Sequence, residues 1–214
     1  MNSMILLRFI TISCLFTGLL TGAFAVNAQG YAETVWKKGW VVKKNRDTLR
    51  GEIKYSLKNS SVQIKINRII KTYTPRSVVS FLFIDPLRHY RRQFFSIPFA
   101  RRRGSSYKVP SFFELIYNGK PVTLLSRQIS MIVRSNRRRG GHGWVEQDIF
   151  YLLDQKGRIK EIKQNKRNIL RALGSQERAL KDFIKLNRVN VSTREGLVKI
   201  VDYYNSIINN NDKK

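Results

Sequence analysis

Between residues 29 and 163 the apolar segments stay short, and each is closed by a polar or glycine-bearing turn. A chain punctuated in this way is constrained to a succession of strands. Trp40-Val41-Val42 and Ile53-Lys54-Tyr55 flank a polar stretch over 43–50, the pattern of a hairpin. Val62-Gln63-Ile64-Lys65-Ile66 alternates apolar and polar residues, the period of a half-buried strand. The apolar run over 78–84 is expected to lie centrally in a sheet. Segments 112–117 and 122–125 bracket Asn118-Gly119, a strong hairpin signal, and 149–153 and 158–162 bracket Asp154-Gln155-Lys156-Gly157. The expected product is an antiparallel meander curled into a sandwich or partial barrel.

The period changes near Gln164. Ile169, Leu170 and Leu173 precede Gly174, which suits a helix C-cap. Ala179, Leu180, Phe183 and Ile184 take helical spacing. Ser192-Thr193-Arg194-Glu195 has capping-box form, and Leu197, Ile200, Val201, Tyr204 and Ile208 follow at intervals of three and four. Each helix has one apolar face to cover, and the sheet is the available partner. The chain therefore reads as α+β, with an antiparallel meander followed by about three C-terminal helices packing on it. One domain is expected over 29–208, β-rich to 163 and helical from 164, with 209–214 as a polar tail.

Hydrophobic residues make up 42% of the 214, with only 5 Pro, which excludes wholesale disorder. A single Cys rules out a disulfide framework and any cysteine-rich zinc site. With only 2 His, a multi-histidine centre lacks material, so no metal and no cofactor is expected. Residues 4–26 are almost wholly apolar or small, broken by Arg8, and lead into Val26-Asn27-Ala28. An apolar run with that exit describes a secretory signal peptide over 1–28. The rival is an uncleaved anchor, since eighteen residues at 1.5 Å give roughly 27 Å, nearly a bilayer core. The Thr, Ser and Gly interruptions favour cleavage. Thr11-Ile12-Ser13-Cys14 is a poor lipobox, and the apolar run continues past it. A small outer-membrane barrel is opposed by the amphipathic C-terminal helices and by Lys and Arg on the non-core strand faces.

The formal charge is +27, unevenly spread. Residues 86–145 hold 13 Lys and Arg against one acid, Glu114. Arg88, Arg91, Arg92, Arg101, Arg102, Arg103, Arg134, Arg137, Arg138 and Arg139 make up most of that charge. Both triplets border glycine and fall between expected strands, so they are expected in loops, and two loops at one end of a sheet pool their charge. The planar arginine fork suits phosphate or carboxylate, and a crowd of arginines without anions repels itself. The aromatics of the same window, Phe94, Phe95, Phe112 and Phe113 among them, read as sheet core rather than as base-stacking platforms. Export leaves cellular nucleic acid out of reach. Lipopolysaccharide, acidic glycan, an anionic membrane surface and released DNA are the anions at hand, and a protein partner is the other candidate.

No nucleophile elbow, P-loop, zincin or dinucleotide motif is present. The strongest catalytic constellation is His142 in a glycine-rich loop, followed by Glu146 and Asp148, whose two-residue spacing puts both carboxylates on one face of a strand. Two carboxylates and a histidine define a hydrolase alternative. The plainer reading is a solvated His and two acids balancing nearby Arg.

Trp40-Val41-Val42…Asp47-Thr48-Leu49-Arg50-Gly51-Glu52-Ile53-Lys54-Tyr55 resembles the opening of a secreted Bacteroidota family of uncharacterised function, typically Gly-Asp-Thr-Leu-x-Gly-x-Ile-x-Tyr. Phe113-Glu114-Leu115…Gly119…Val122…Leu124 and Val201-Asp202-Tyr203-Tyr204-Asn205 resemble that family's later blocks. Arg46 stands where the pattern has Gly, and the Arg triplets look like an addition. The resemblance implies export and a fold but no catalytic residues. The expectation is an exported, non-enzymatic envelope protein, periplasmic, outer-membrane-associated or extracellular, whose Arg-rich loops bind an anionic component. A structural protein docking a partner is the remaining alternative.

Overall fold

A computed structural model describes residues 35–85, 90–100, 104–134 and 142–211. The segment 1–28 and the tail residues 212–214 lie outside the described residues. Ten strands follow one another: β1 (Lys37–Lys43), β2 (Thr48–Ser56), β3 (Ser61–Ile66), β4 (Ile69–Tyr73), β5 (Val78–Asp85), β6 (Tyr90–Phe99), β7 (Val109–Tyr117), β8 (Val122–Arg134), β9 (His142–Asp154) and β10 (Ile159–Ile162). Three helices close the chain: α1 (Lys166–Leu173), α2 (Glu177–Leu186) and α3 (Arg194–Asn211). The α+β class, with an antiparallel sheet and three C-terminal helices packed on it, is as expected.

All ten strands share one sheet in the order β10-β9-β8-β7-β6-β5-β1-β2-β3-β4. Two runs of sequential hairpins, β1–β4 and β5–β10, are joined by the antiparallel pairing of β1 with β5, Gly39 opposite Phe83. The edges β4 and β10 do not pair with each other, so the sheet is open. It is also curled. Tyr55 on β2 and Phe112 on β7 are four strand spacings apart, about 19 Å in a flat sheet. Their ring centroids lie 6.0 Å apart, and Tyr55 meets Phe94 of β6 at 5.0 Å. Phe81, Phe94 and Phe112 fill the concavity, with Val41, Ile53, Val62 and Ile64 buried around them.

On the same face, β8 to β10 carry Val122, Leu124, Phe150, Leu152 and Ile162 to the helices. Ile169, Leu170 and Leu173 of α1, Leu180 and Ile184 of α2, and Leu197, Ile200 and Val201 of α3 complete this second core. The opposite face gathers a smaller cluster of Phe113, Leu125 and Tyr151. The alternation of Phe112 with Phe113, and of Leu124 with Leu125, thus feeds two faces from consecutive residues, as the pleat requires.

Capping is local. The Asn165 side chain accepts the Asn168 N–H ahead of α1, and Gly174 ends that helix at φ 55°. The cap of α3 is Thr193 rather than Ser192: its Oγ1 accepts the Gly196 N–H at 3.0 Å. Helix α3 also runs through Asn211, into the segment read as tail, and Asn209 donates to the Lys120 carbonyl at 3.0 Å.

The sequence reading did not place β4 and β6 as strands. Ile69 and Ile70 stand consecutively on an edge strand whose residues are mostly exposed, so no alternation marks it. Its turn, Asn67-Arg68, has both residues at positive φ (47° and 69°), the conformation of a tight hairpin, without the glycine that signals one. In β6, Arg91 and Arg92 hide the strand period.

The β1–β2 turn needs the left-handed conformation at Arg46, where φ is 69°, a conformation that glycine adopts without the Cβ penalty. Arg46→Gly is expected to raise stability by about 0.5–1 kcal/mol, the strain relieved less the added freedom of the unfolded chain. Thermal unfolding should shift upward by roughly 1–4 °C, whereas Arg46→Ala, which keeps a Cβ, should show no such gain.

Candidate functional site

Strands β6 to β9 alternate in direction, which fixes where their connections lie. Phe99 and Val109, which flank the first Arg triplet, pair across the β6–β7 junction. Arg134 and His142, which flank the second, pair across β8–β9. Both junctions are at the same end of the sheet. Pairing of β7 with β8 stops at Glu114 opposite Ser126. Beyond it β8 pairs with β9 alone, as a two-stranded ribbon ending at Arg134. Val109 is five residues from Glu114 and Arg134 eight from Ser126, so the two strand ends differ by about 10 Å along the strand direction. Arg101, Arg102, Arg103, Arg137, Arg138 and Arg139 themselves lie outside the described residues, as does Arg88, whose connection from β5 to β6 is at the other end of the sheet.

Arg91 is exposed near the start of β6. Arg92 is a correction to the expected set of surface arginines, because it is buried, with 8% of its surface exposed. It lies on the concave face between the two cores. Its Nε donates to Glu114 Oε1 at 3.1 Å and its Nη2 to Oε2 at 2.6 Å. Asp85 Oδ2 stands 3.9 Å from Nη1, and the guanidinium lies over the rings of Phe83 and Phe94. Glu114 is itself 3% exposed and accepts a third hydrogen bond at 2.9 Å from Nη2 of Arg194, at the start of α3. Arg194 in turn lies over the Tyr90 ring at 5.2 Å.

Burial is the largest influence on the Glu114 carboxyl and works against its ionisation. The fork and charge of Arg92, then the charge of Arg194, outweigh it and hold the group below the ordinary carboxylate range. Burial likewise opposes the charge of Arg92, and Glu114 overcomes it to push that pKa up. The lone acid of residues 86–145 is therefore fully engaged inside the fold. One sequence signal points to it: a single acid between Phe112, Phe113 and Leu115, among thirteen cations, is an acid with a buried partner.

His142, Glu146 and Asp148 occupy alternate positions on β9. His142 is the first residue of the strand, opposite Arg134, rather than part of a loop. Four residues of strand separate it from Glu146, a backbone rise of about 13 Å. Glu146 accepts a hydrogen bond from Gln128 Nε2 at 3.1 Å. Among the described residues no group of three His, Cys, Asp or Glu is placed to hold a metal ion, and no helix is long and apolar enough to cross a membrane.

The segments 113–124 and 201–205 meet in space. Asn205 of α3 accepts the Val122 N–H at 3.1 Å and donates to the Val122 carbonyl at 2.8 Å, closing like one more strand residue on the start of β8. Tyr117 donates to Asp202 Oδ1 at 2.6 Å. A Cβ at Gly119 would stand 2.3 Å from Asn205 Nδ2, and one at Gly51 2.4 Å from the Lys65 carbonyl oxygen. These segments build the fold. Comparison with models of protein families, with curated proteins and with solved structures finds no match.

Glu114→Gln should cost about 3–5 kcal/mol, because it leaves two arginines facing a neutral amide. The folded carboxyl titrates below the unfolded one, so its contribution is complete above about pH 4.3 and is lost as pH falls through the lower folded value. Urea unfolding across this range should show a smaller acid-side loss in the variant than in the native chain.

Proposed function

We propose that the protein is an exported, non-enzymatic envelope protein of the secreted Bacteroidota type, whose Arg-rich strand connections bind an anionic component. The carrying observation is the commitment of Glu114, the one acid of residues 86–145, to Arg92 and Arg194 inside the fold. It leaves that stretch with no carboxylate to neutralise the two triplets, whose flanking strands end on the same side. Arginine forks in these two connections match phosphate or carboxylate on a polymer or surface: lipopolysaccharide, acidic glycan, anionic membrane or extracellular DNA. The hydrolase reading draws no support from the 13 Å spacing on β9. A protein-docking reading is favoured by one feature, Ile69 and Ile70 on edge strand β4, 61% and 53% exposed.

Binding of the purified protein to lipopolysaccharide, duplex DNA and a neutral glycan should be titrated against salt, with both triplets intact or changed to Ser. Steep salt dependence for the anions, lost in the Ser variant and absent with the neutral glycan, is the expected result. Binding indifferent to salt and to the triplets would sink the proposal and turn attention to the β4 edge.

A further inference from the structure

The first turn of helix α1 opposes the charge pattern that its own dipole favours. A helix N-terminus carries partial positive charge and is stabilised by acids. The first two residues of α1 are Lys166 and Arg167, and its first turn holds no acid. Arg171 follows Arg167 at a spacing of four, which stacks like charges on one face, with their Cβ atoms about 6 Å apart. These three side chains line one wall of a groove of about 450 Å³ between α1 and α2. Leu170 and, from α2, Glu177 and Lys181 complete its lining. The one carboxylate, Glu177, is held by Lys181 at 2.7 Å, and that hydrogen bond and charge lower its pKa. Lys166, Arg167 and Arg171 form no ion pair among the described residues.

The groove thus gathers three cations without ion pairs in one concavity: Lys166 and Arg167 stand at the helix end whose dipole disfavours them, and Arg171 is stacked on Arg167. Residues that break a local rule together mark a site whose compensation comes from outside the chain. A single carboxylate would answer only one of the three. Two arginine forks and a lysine point charge on one face suit the several oxygens and multiple charge of a phosphoryl group. We infer that the α1–α2 groove is a second anion site, separate from the Arg-rich end of the sheet, that takes a phosphate-ester group carrying two or more negative charges. The group reaches it either on a soluble ester or on a lipid head.

The full chain is titrated calorimetrically with inorganic pyrophosphate, and separately with phosphatidic acid in phosphatidylcholine vesicles against phosphatidylcholine alone. Pyrophosphate should bind and raise the melting temperature. Lys166→Gln/Arg167→Gln/Arg171→Gln should weaken binding about tenfold or more, as three exposed ion pairs are lost. Without ligand the same variant should melt higher than the native chain, because the repulsion is gone. Arg167→Lys/Arg171→Lys, which keeps the charge and removes the forks, should fall between. The triplet-to-Ser variant should bind like the native chain. Binding only to the phosphatidic acid vesicles, lost in the Gln variant, assigns the lipid source. Equal binding by the Gln variant, or no binding of either probe, overturns the inference. Loss confined to the triplet-to-Ser variant also overturns it while leaving the loop proposal standing, whereas loss confined to the Gln variant supports it and does not bear on the loop proposal.

Discussion

A carboxylate held between two guanidiniums connects the halves of this molecule. Glu114 stands where the curled part of the sheet gives way to the part covered by helices. Arg92 reaches it from the curled side and Arg194 from the head of α3. The opposed charges tie the head of α3 to the sheet, because a buried carboxylate deprived of either partner is strongly disfavoured. The aromatic rings of Phe83, Phe94 and Tyr90 form the walls of this polar seam, shielding it from water and strengthening each contact within it.

The helical half of the fold and the hairpins with glycine turns were legible from residue order alone. Period and turn chemistry are local properties, and Asn118-Gly119 or Ile169-Leu170…Leu173 carry them without help from the rest of the chain. What escaped was set by distant contacts. Strand β4 takes its conformation from pairing with β3, and β6 from lying between β5 and β7, whatever Arg91 and Arg92 suggest about exposure. Arg92 looks like its neighbours in sequence, and only the fold reveals that it faces Glu114. Asn205 carried a quieter signal: a polar residue between Val201 and Ile208 on an apolar helical stripe has to satisfy something, and it satisfies the backbone of Val122.

The distribution of acids explains why so basic a chain folds. Asp47 sits beside Lys43, Asp154 beside Arg158 and Glu177 beside Lys181, each four residues apart, while Glu52 and Lys65 face each other across β2 and β3. These pairs are exposed and individually weak. They nonetheless spread the few negative charges over turns and helix ends instead of leaving them in a block. The excess of cations is thereby displaced to the ends of strands and to helix surfaces, where water and ions reach it.

The single pairing of β1 with β5 has a kinetic meaning. Every other strand contact in the sheet joins sequence neighbours, so each hairpin closes across a short loop. Gly39 and Phe83 are forty-four residues apart, and their meeting carries the largest loop-closure entropy in the sheet. The runs β1–β4 and β5–β10 can form early and separately, but the concave core stays open to water until this seam shuts. Two glycines lie at that seam and its neighbour, Gly39 against the Leu82 carbonyl and Gly51 opposite Gly39. A side chain at Gly39 would obstruct the closure itself, so its damage would appear in the rate of folding as much as in final stability.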